Sequence, residues 1–563
     1  MDIVVDSLTY TYTGQPGPAL RDVSLEVRCG ELCCLVGANG AGKSTLCCAV
    51  AGFVPHFYRG EMYGAVVVGG QDTVQRTIGE LARRVGIVFQ NPFDQLTGAT
   101  LTVFAEVAFG LENLGTPREE TMARVEGALR RVGLWGLRDR SPFELSGGQQ
   151  QRLAIASILA MDPPVIVLDE ATSQLDPSGT REVWQVIADL HASGKTLLVV
   201  DHKMEYVARH ASKVVLMEGG RVVEAGRPSE VLGRDDLEEH GVGRPPFMEV
   251  ARTLRERGLW AGDLPMTVEE AAGVLRKAAA PRRAAVQKLQ TEAPGTVPGI
   301  VLEDVCYEYP GGVAALRGIS LRISRNETAA MIGENGAGKT TLAKHLNGLL
   351  EPTSGRVTVD GVDTRGHTVA SMARLVGFVF QNPDDQLFQG QVFKEIAFGP
   401  RNLGYPGDEV ERLVRWAAGL VGIENLLDRH PFDLGLAERK LVAIASVVAM
   451  DTPHVILDEP TTGQDYPGTQ KLARLVEKLA AAGKTVIAIT HDMEFAAAHF
   501  ARAIALASGQ VIVDGPPKEV FSRAEELQRA SVEPPQVARL GRMLGLQECV
   551  LEQEALFRAL GLV

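Results

Sequence analysis

The chain is poor in cysteine. Its seven cysteines, Cys29, Cys33, Cys34, Cys47, Cys48, Cys306 and Cys549, are odd in number and form no C-x-x-C pair. That pattern excludes a disulfide framework and speaks against a zinc site. Four of them flank one glycine-rich stretch and are expected to be small buried apolar residues. Long apolar runs are missing too: none reaches the ~18 residues of a membrane span. The N-terminus runs straight into an alternating, strand-like segment with no signal peptide. A cytoplasmic protein is therefore expected, with any membrane role coming through a partner. Positive charge is not in excess. The net charge is −13 over 563 residues, and no basic stripe offsets it, which argues against a nucleic-acid partner. Arg83-Arg84 and Arg282-Arg283 read as solvated faces. The remaining composition, 45% hydrophobic and 23% charged, is that of an ordinary globular protein of roughly three to four domains.

What is present is written twice. Ala19-Leu20-Arg21-Asp22-Val23-Ser24-Leu25 returns as Ala315-Leu316-Arg317-Gly318-Ile319-Ser320-Leu321, and Val88-Phe89-Gln90-Asn91-Pro92 returns as Val379-Phe380-Gln381-Asn382-Pro383. The tails repeat as well: Pro245-Pro246 with Val250-Ala251-Arg252 becomes Pro534-Pro535 with Val537-Ala538-Arg539. Each half alternates strands and helices, as in a parallel α/β sheet. Strands are expected at 65–68, 85–89, 165–168 and 196–200. Helices are expected at 101–114, 119–132 and 149–161, the first two forming an inserted segment. Residues 278–299, rich in Ala, Arg and Pro, read as a linker.

Each half carries G-x-x-x-x-G-K-[S/T]: Gly37, Asn39, Gly40, Gly42, Lys43 and Ser44 in the first, Gly333, Asn335, Gly336, Gly338, Lys339 and Thr340 in the second. Each follows a short apolar run and opens a helix-like segment, the context that identifies a phosphate-cradling P-loop. The glycines let backbone N–H groups turn inward, and the helix N-terminus adds positive potential. Lys43 and Lys339 are expected to reach the β- and γ-phosphates of ATP. Ser44 and Thr340 are expected to hold Mg²⁺, with Thr45 and Thr341 beside them in the nucleotide site.

An apolar strand ending in two carboxylates follows in each half, at Asp169-Glu170 and Asp458-Glu459. After a P-loop, the Asp orders Mg²⁺ and the Glu polarises the attacking water. His202 and His491, after the next buried strand, are placed to hydrogen-bond the γ-phosphate and that water. Gln90 and Gln381 offer uncharged oxygens to Mg²⁺ and water. Tyr12 and Tyr309 either stack on adenine or pack as strand aromatics in the core.

Leu145-Ser146-Gly147-Gly148-Gln149 narrows the class. With this LSGGQ stretch the chain resembles ABC-type ATPases over nearly its whole length. The resemblance implies an α/β fold of two P-loop NTPase domains, each with a mixed parallel sheet core, an inserted helical subdomain and a small helical C-terminal extension. The boundaries expected are 1–230 and 299–520 for the ATPase domains, and 231–298 and 521–563 for the helical extensions, the first with its linker. In that family two domains pair head to tail, each ATP held by one P-loop and the other domain's LSGGQ. Ser146 caps a helix aimed at phosphate, Gly147 and Gly148 let the backbone approach, and Gln149 completes the motif.

Finer features are similar to the ATP-binding subunits of energy-coupling factor (ECF) transporters: Asn91-Pro92-Phe93-Asp94-Gln95-Leu96 and Asn382-Pro383-Asp384-Asp385-Gln386-Leu387, Glu106-Val107-Ala108-Phe109-Gly110 and Glu395-Ile396-Ala397-Phe398-Gly399, and the Pro-Pro tails. That resemblance implies an importer of vitamins or metal ions. Its partners are an integral membrane coupling subunit and a small substrate-capture membrane protein. The chain would lie peripherally on the cytoplasmic face of the membrane. Asp94 and Asp385 either dock the coupling subunit, whose helices carry Arg in that family, or cap local turns. The alternatives are the fused ATPase of a conventional sugar importer and a soluble tandem protein acting on ribosomes or nucleic acid. The short Ala/Pro-rich linker and acidic charge count against the last.

The second signature departs from the pattern. Where Ser-Gly-Gly-Gln should follow Leu434 stand Gly435-Leu436-Ala437-Glu438. Losing one charge-assisted hydrogen bond is worth roughly 1.5–3 kcal/mol, about one to two factors of ten in rate. Head-to-tail pairing would then leave the first P-loop with the damaged partner and give the second the intact one. One consensus and one degenerate site are expected.

Overall fold

The computed structural model describes residues 1–173, 175–278 and 297–562, so most of the expected linker lies outside the described residues. The chain divides into two compact units, Met1–Ala271 and Ala272–Val563.

In the first unit the strand Leu32–Val36 is buried at every position, as a parallel strand covered on both faces must be. It pairs in parallel with Thr196–Val200 and Lys213–Glu218. Val165–Asp169 and Val85–Val88 continue the sheet in parallel on one side, and Arg221–Gly226 closes the other edge antiparallel. The strands expected at 85–89, 165–168 and 196–200 are thus present. The segment 65–68 is different. It ends the strand Gly60–Val68, which belongs to a separate four-stranded antiparallel sheet with Ile3–Tyr12, Leu20–Val27 and Gln71–Asp72. One face of that sheet is wet: Leu20–Val27 alternates buried and exposed positions over much of its length, the signature of antiparallel strands. The second unit repeats both sheets, the large one running Val376–Val379, His454–Asp458, Thr485–Ile489, Thr328–Ile332, Arg502–Ala507 and Gln510–Gly515.

The inserted helices are Val103–Asn113, Arg118–Arg131 and Gly147–Met161, with counterparts Val392–Leu403, Gly407–Val421 and Leu436–Val448. No helix among the described residues is long and apolar enough to cross a membrane. Cys33, Cys34, Cys47 and Cys48 are free and buried. Burial pushes the thiols of Cys33 and Cys48 up to about 12, which leaves them unreactive.

Each proline pair opens an extension helix, Pro246–Glu256 and Gln536–Met543. The chain leading into it touches the P-loop of its own unit. Ala38 N–H donates to the His240 carbonyl at 3.2 Å, and Glu334 N–H to the Ala530 carbonyl at 3.0 Å. Ser531 Oγ also donates to Glu334 Oε2 at 2.8 Å. Gly241 follows at φ +78, where an added Cβ would lie 2.6 Å from Ala38 Cβ. Gly258 has a similar φ of +70 but open space around it. Gly241→Ala should therefore lower the melting temperature more than Gly258→Ala, the difference reflecting an overpacking cost of about 1–3 kcal/mol. Equal effects would mean that the extension yields without disturbing the P-loop.

Candidate functional site

Open α/β sheets bind ligands in the crevice beyond the carboxyl ends of their strands. In each unit the P-loop, the carboxylate pair, the histidine and the glutamine lie there, whereas Ser146–Gln149 stands apart at the start of the helix Gly147–Met161. Leu32–Val36 leads into the P-loop and Val165–Asp169 ends at the carboxylates. Thr196–Val200 leads to His202, and Val85–Val88 leads to Gln90.

The P-loop geometry is nearly the same in both halves. Gly37 has φ 147, and a Cβ there would collide with the Met217 carbonyl at 2.2 Å. Gly40 has open space but φ +77, so there it is the backbone conformation that demands glycine. Asn39-Gly40 and Asn335-Gly336 form the exposed tips. Lys43 is buried and its ammonium donates to the carbonyls of Gly37 and Ala38, both at 2.8 Å. Lys339 does the same toward Gly333 and Glu334 at 2.8 and 2.9 Å. Each P-loop thereby holds a buried cation against its own main chain.

Asp169 and Glu170 are each 5% exposed, Asp458 and Glu459 1% and 4%. Both glutamates adopt φ 48, a conformation that costs of order 1–3 kcal/mol and persists only where neighbours enforce it. The enforcing bonds run from Glu170 N–H to the Val200 carbonyl and from Glu459 N–H to the Ile489 carbonyl, both 2.9 Å. Burial, reinforced by the adjoining Glu, pushes each Asp up to about 6. For the glutamates burial also works upward. In each the adjoining imidazole and the P-loop lysine outweigh it, and both sit below their ordinary value. One member of each pair is thus held ionised and the other is left short of positive charge.

The two glutamates are held differently. Glu170 accepts from Gln90 Nε2 at 2.6 Å on one oxygen and faces His202 Nε2 at 3.0 Å on the other. Glu459 meets its histidine through the other ring nitrogen, with His491 Nδ1 2.8 Å from Glu459 Oε2. Gln381 is exposed and makes no side-chain hydrogen bond among the described residues. Asp201, to which sequence reasoning gave no role, steadies the His202 loop. Its carboxylate accepts from Thr172 Oγ1 at 2.6 Å, Trp184 Nε1 at 3.1 Å and Lys203 N–H at 2.8 Å.

Tyr12 and Tyr309 both reach the helix that follows the P-loop. Their hydroxyls meet Thr45 Oγ1 at 3.1 Å and Thr341 Oγ1 at 3.0 Å. Each ring also stands edge-on to its neighbour, Tyr10 or Tyr307, at 4.9 Å.

Ser146 caps Gly147–Met161 in a reciprocal box. Its N–H donates to Gln149 Oε1 at 3.0 Å, and its Oγ accepts from Gln149 N–H at 3.4 Å, so the Gln149 carboxamide belongs to the cap. In the second half only the return bond survives, from Gly435 N–H to Glu438 Oε2 at 3.2 Å. Gly435 has no side chain to cap with.

The Asn-Pro-x-Asp-Gln-Leu segments link these parts. Asn91 and Asn382 cap the turn, accepting from Phe93 N–H and Asp384 N–H at 3.2 Å. The aspartates therefore are not its caps. Gln95 accepts from Phe89 N–H at 3.3 Å and donates to the Ala154 carbonyl at 2.9 Å, stapling the Gln90 loop to the signature helix. Gln386 repeats this with Phe380 and Ala443 at 3.2 and 2.8 Å.

The family model described as ABC transporter matches residues 20–173 and 316–462. A protein of Methanosarcina acetivorans provisionally named an ABC transporter ATP-binding protein is 40% identical, covering 96% of this chain and 91% of its own length. A similarly named protein of Caldanaerobacter subterraneus is 38% identical over 97% and 96%. Among solved structures, cbiO1 from Clostridium perfringens, described as part of the ABC transporter complex cbiONQ, is 35% identical. It covers 44% of this chain and 99% of its own, with a TM-score of 0.39. The chain belongs to the ABC transporter family as two ATP-binding domains in tandem. It is an ATPase, and ATPases of this family work on ATP with Mg²⁺.

The residues fit such a cation. Asp169 Oδ1 and Asp458 Oδ1 are buried with no hydrogen-bond partner. The Ser44 hydroxyl bonds Asp169, and Thr340 Oγ1 donates to Asp458 Oδ2 at 3.0 Å. Carboxylate and hydroxyl oxygens are the donors a hard divalent ion prefers.

In the metal-free protein these aspartyl groups bind protons more tightly when folded, at about 6, than when unfolded, at roughly 3.9. Their contribution to stability is present at low pH and lost as pH rises through about 6. Asp169→Asn/Asp458→Asn removes that dependence. In EDTA, the melting temperature of the double variant relative to wild type should be highest near pH 7.5 and should fall as pH drops from 6 toward 4. A constant difference would show that both carboxyls titrate normally.

Proposed function

We propose that the chain energises an ECF-type membrane importer, and that its halves pair head to tail into one hydrolytic and one degenerate site. The observation that carries the asymmetry is the contrast between Ser146-Gly147-Gly148 and Gly435-Leu436-Ala437. The second P-loop is completed by the former and the first by the latter.

In each half the P-loop lysine and N–H groups bind the β- and γ-phosphates, and Tyr12 or Tyr309 lies against the base. Ser44, Asp169 and Gln90, and in the other half Thr340, Asp458 and Gln381, would hold Mg²⁺, which would supply positive charge against the charge developing on the phosphate. Glu459 accepts the proton of the attacking water, and His491 stabilises the γ-phosphate and that water. Glu170 and His202 are the corresponding pair opposite the degenerate signature.

The importer reading rests on the surface around the Gln loops. Asp94 and Asp385 are exposed, with exposed Phe93 and Leu101 in the first half and exposed Phe388 and Phe398 in the second. Phe388 and Phe398 pack edge to face at 4.7 Å. An apolar surface rimmed by carboxylates suits an amphipathic, Arg-bearing helix of a membrane coupling subunit. The chain then sits peripherally at the cytoplasmic face of the membrane.

Glu459→Gln should lose ATPase turnover by a factor on the order of 10² or more, while Glu170→Gln should lose far less. The reverse ranking would exchange the two sites. Asp94→Arg/Asp385→Arg should abolish co-purification with an integral membrane protein from solubilised membranes. Recovery of the wild type with ribosomes would overturn the importer reading.

A further inference from the structure

The signature helix of the second half carries a buried cation that the chemistry above does not use. Lys440, one turn into Leu436–Val448, is 2% exposed, and its ammonium donates to the main-chain carbonyl of Glu459. A buried charge must find partners. Here they are that carbonyl and the carboxylates of Asp458 and Glu459, whose field it feels.

The matching residue of the first half is Gln151, also buried at 1% but connected elsewhere. Its Nε2 donates to the Phe89 carbonyl at 3.2 Å and its Oε1 has no partner. Around Lys440 the helix start is tied to its own half at two further points. Gln464 Nε2 donates to the Ala437 carbonyl at 3.1 Å, and Arg439 Nε lies 3.3 Å from Asp384 Oδ1.

The exchange alters how the glutamate is held. Glu170 is fixed through its carboxylate, by Gln90 and His202, and its carbonyl accepts the turn bond from Ser173 N–H at 3.1 Å. At Glu459 the same turn bond, from Thr462, is stretched to 3.4 Å, and Lys440 takes over at that carbonyl. With Glu459 N–H bound to Ile489, both peptide planes of a residue at φ 48 are pinned. That orients the side chain through its main chain, with the carboxylate turned to His491.

We infer that Lys440 is a positioning residue for hydrolysis in the second half, aiming the Glu459 carboxylate through its backbone without occupying it. The inference rests on the reading that Glu459 serves the hydrolytic site. Its test uses the full chain carrying Glu170→Gln, so that turnover comes from the second half, and measures kcat and KM for ATP. Lys440→Met, apolar and of similar length, should lower kcat by about ten- to a hundredfold with KM within about twofold. Lys440→Arg, which keeps a cationic donor, should retain more of the rate than Met. A role in packing alone predicts the opposite order, because Met suits a buried site better than Arg. Should Arg fail to fold by circular dichroism, Lys440→Gln decides instead: Gln151 at the matching position bonds the Phe89 carbonyl, so Gln at 440 should lose kcat as Met does, and a rate near wild type would overturn the inference. Unchanged kcat in Lys440→Met, or Met equal to or above a folded Arg variant, overturns it as well. Intact turnover in Glu459→Gln would overturn the underlying site assignment instead.

Discussion

Two carboxylates buried side by side at the end of a central strand are the constraint on which each half depends. Desolvation and mutual repulsion both work against ionising such a pair. The polar groups around Asp169-Glu170 and Asp458-Glu459 answer that cost: the P-loop lysine, the Ser or Thr hydroxyl and the imidazole. The answer is uneven by design of the backbone. The left-handed turn at the Glu swings it toward the histidine, so it stays ionised, while the Asp remains under strand neighbours with one oxygen unpaired. Two adjoining carboxyls whose environments push them in opposite directions suit opposite tasks, one as a base and one as a cation ligand.

The halves satisfy this constraint by different wiring. In the first, Gln90 and His202 grip the Glu170 carboxylate directly, and Gln151 steadies the strand end beneath Gln90. In the second, Gln381 stands exposed and Lys440 reaches the Glu459 main chain. The helix bearing this lysine is the one whose first turn lost its serine cap and its glycines. Divergence at an exposed helix start and divergence beside a buried carboxylate thus share one element.

The Asn-Pro-x-Asp-Gln-Leu segments show how a recognisable string acquires its physical meaning. Asn caps, Pro opens the turn, and Gln staples the loop to the signature helix. A buried glutamate secures the following stretch: Glu106 accepts from Thr97 N–H at 2.7 Å, and Glu395 from Phe388 N–H at 2.9 Å. The loop that touches the Glu170 carboxylate in the first half is therefore bracketed to a surface of exposed aromatics, with the Asp left to face outward.

The sequence by itself determined the duplication, the P-loop and carboxylate motifs, the helices near 101–114, 119–132 and 149–161, and the Ser146 cap. These are local patterns: a glycine spacing, an apolar run with an acidic end, a capping residue three positions from its partner. They are legible because neighbours in sequence are neighbours in space. The tertiary structure alone decided the rest. The strand Gly60–Val68 read as one more buried strand, yet its place is set by pairing with Ile3–Tyr12, nearly 60 residues away. Gln90 and Glu170 meet across 80 residues. Lys440, an unremarked basic residue beside the divergent signature, proves to be a buried cation against the Glu459 main chain. Such contacts follow from which strands lie side by side and which charges the core encloses, and no local spacing records either.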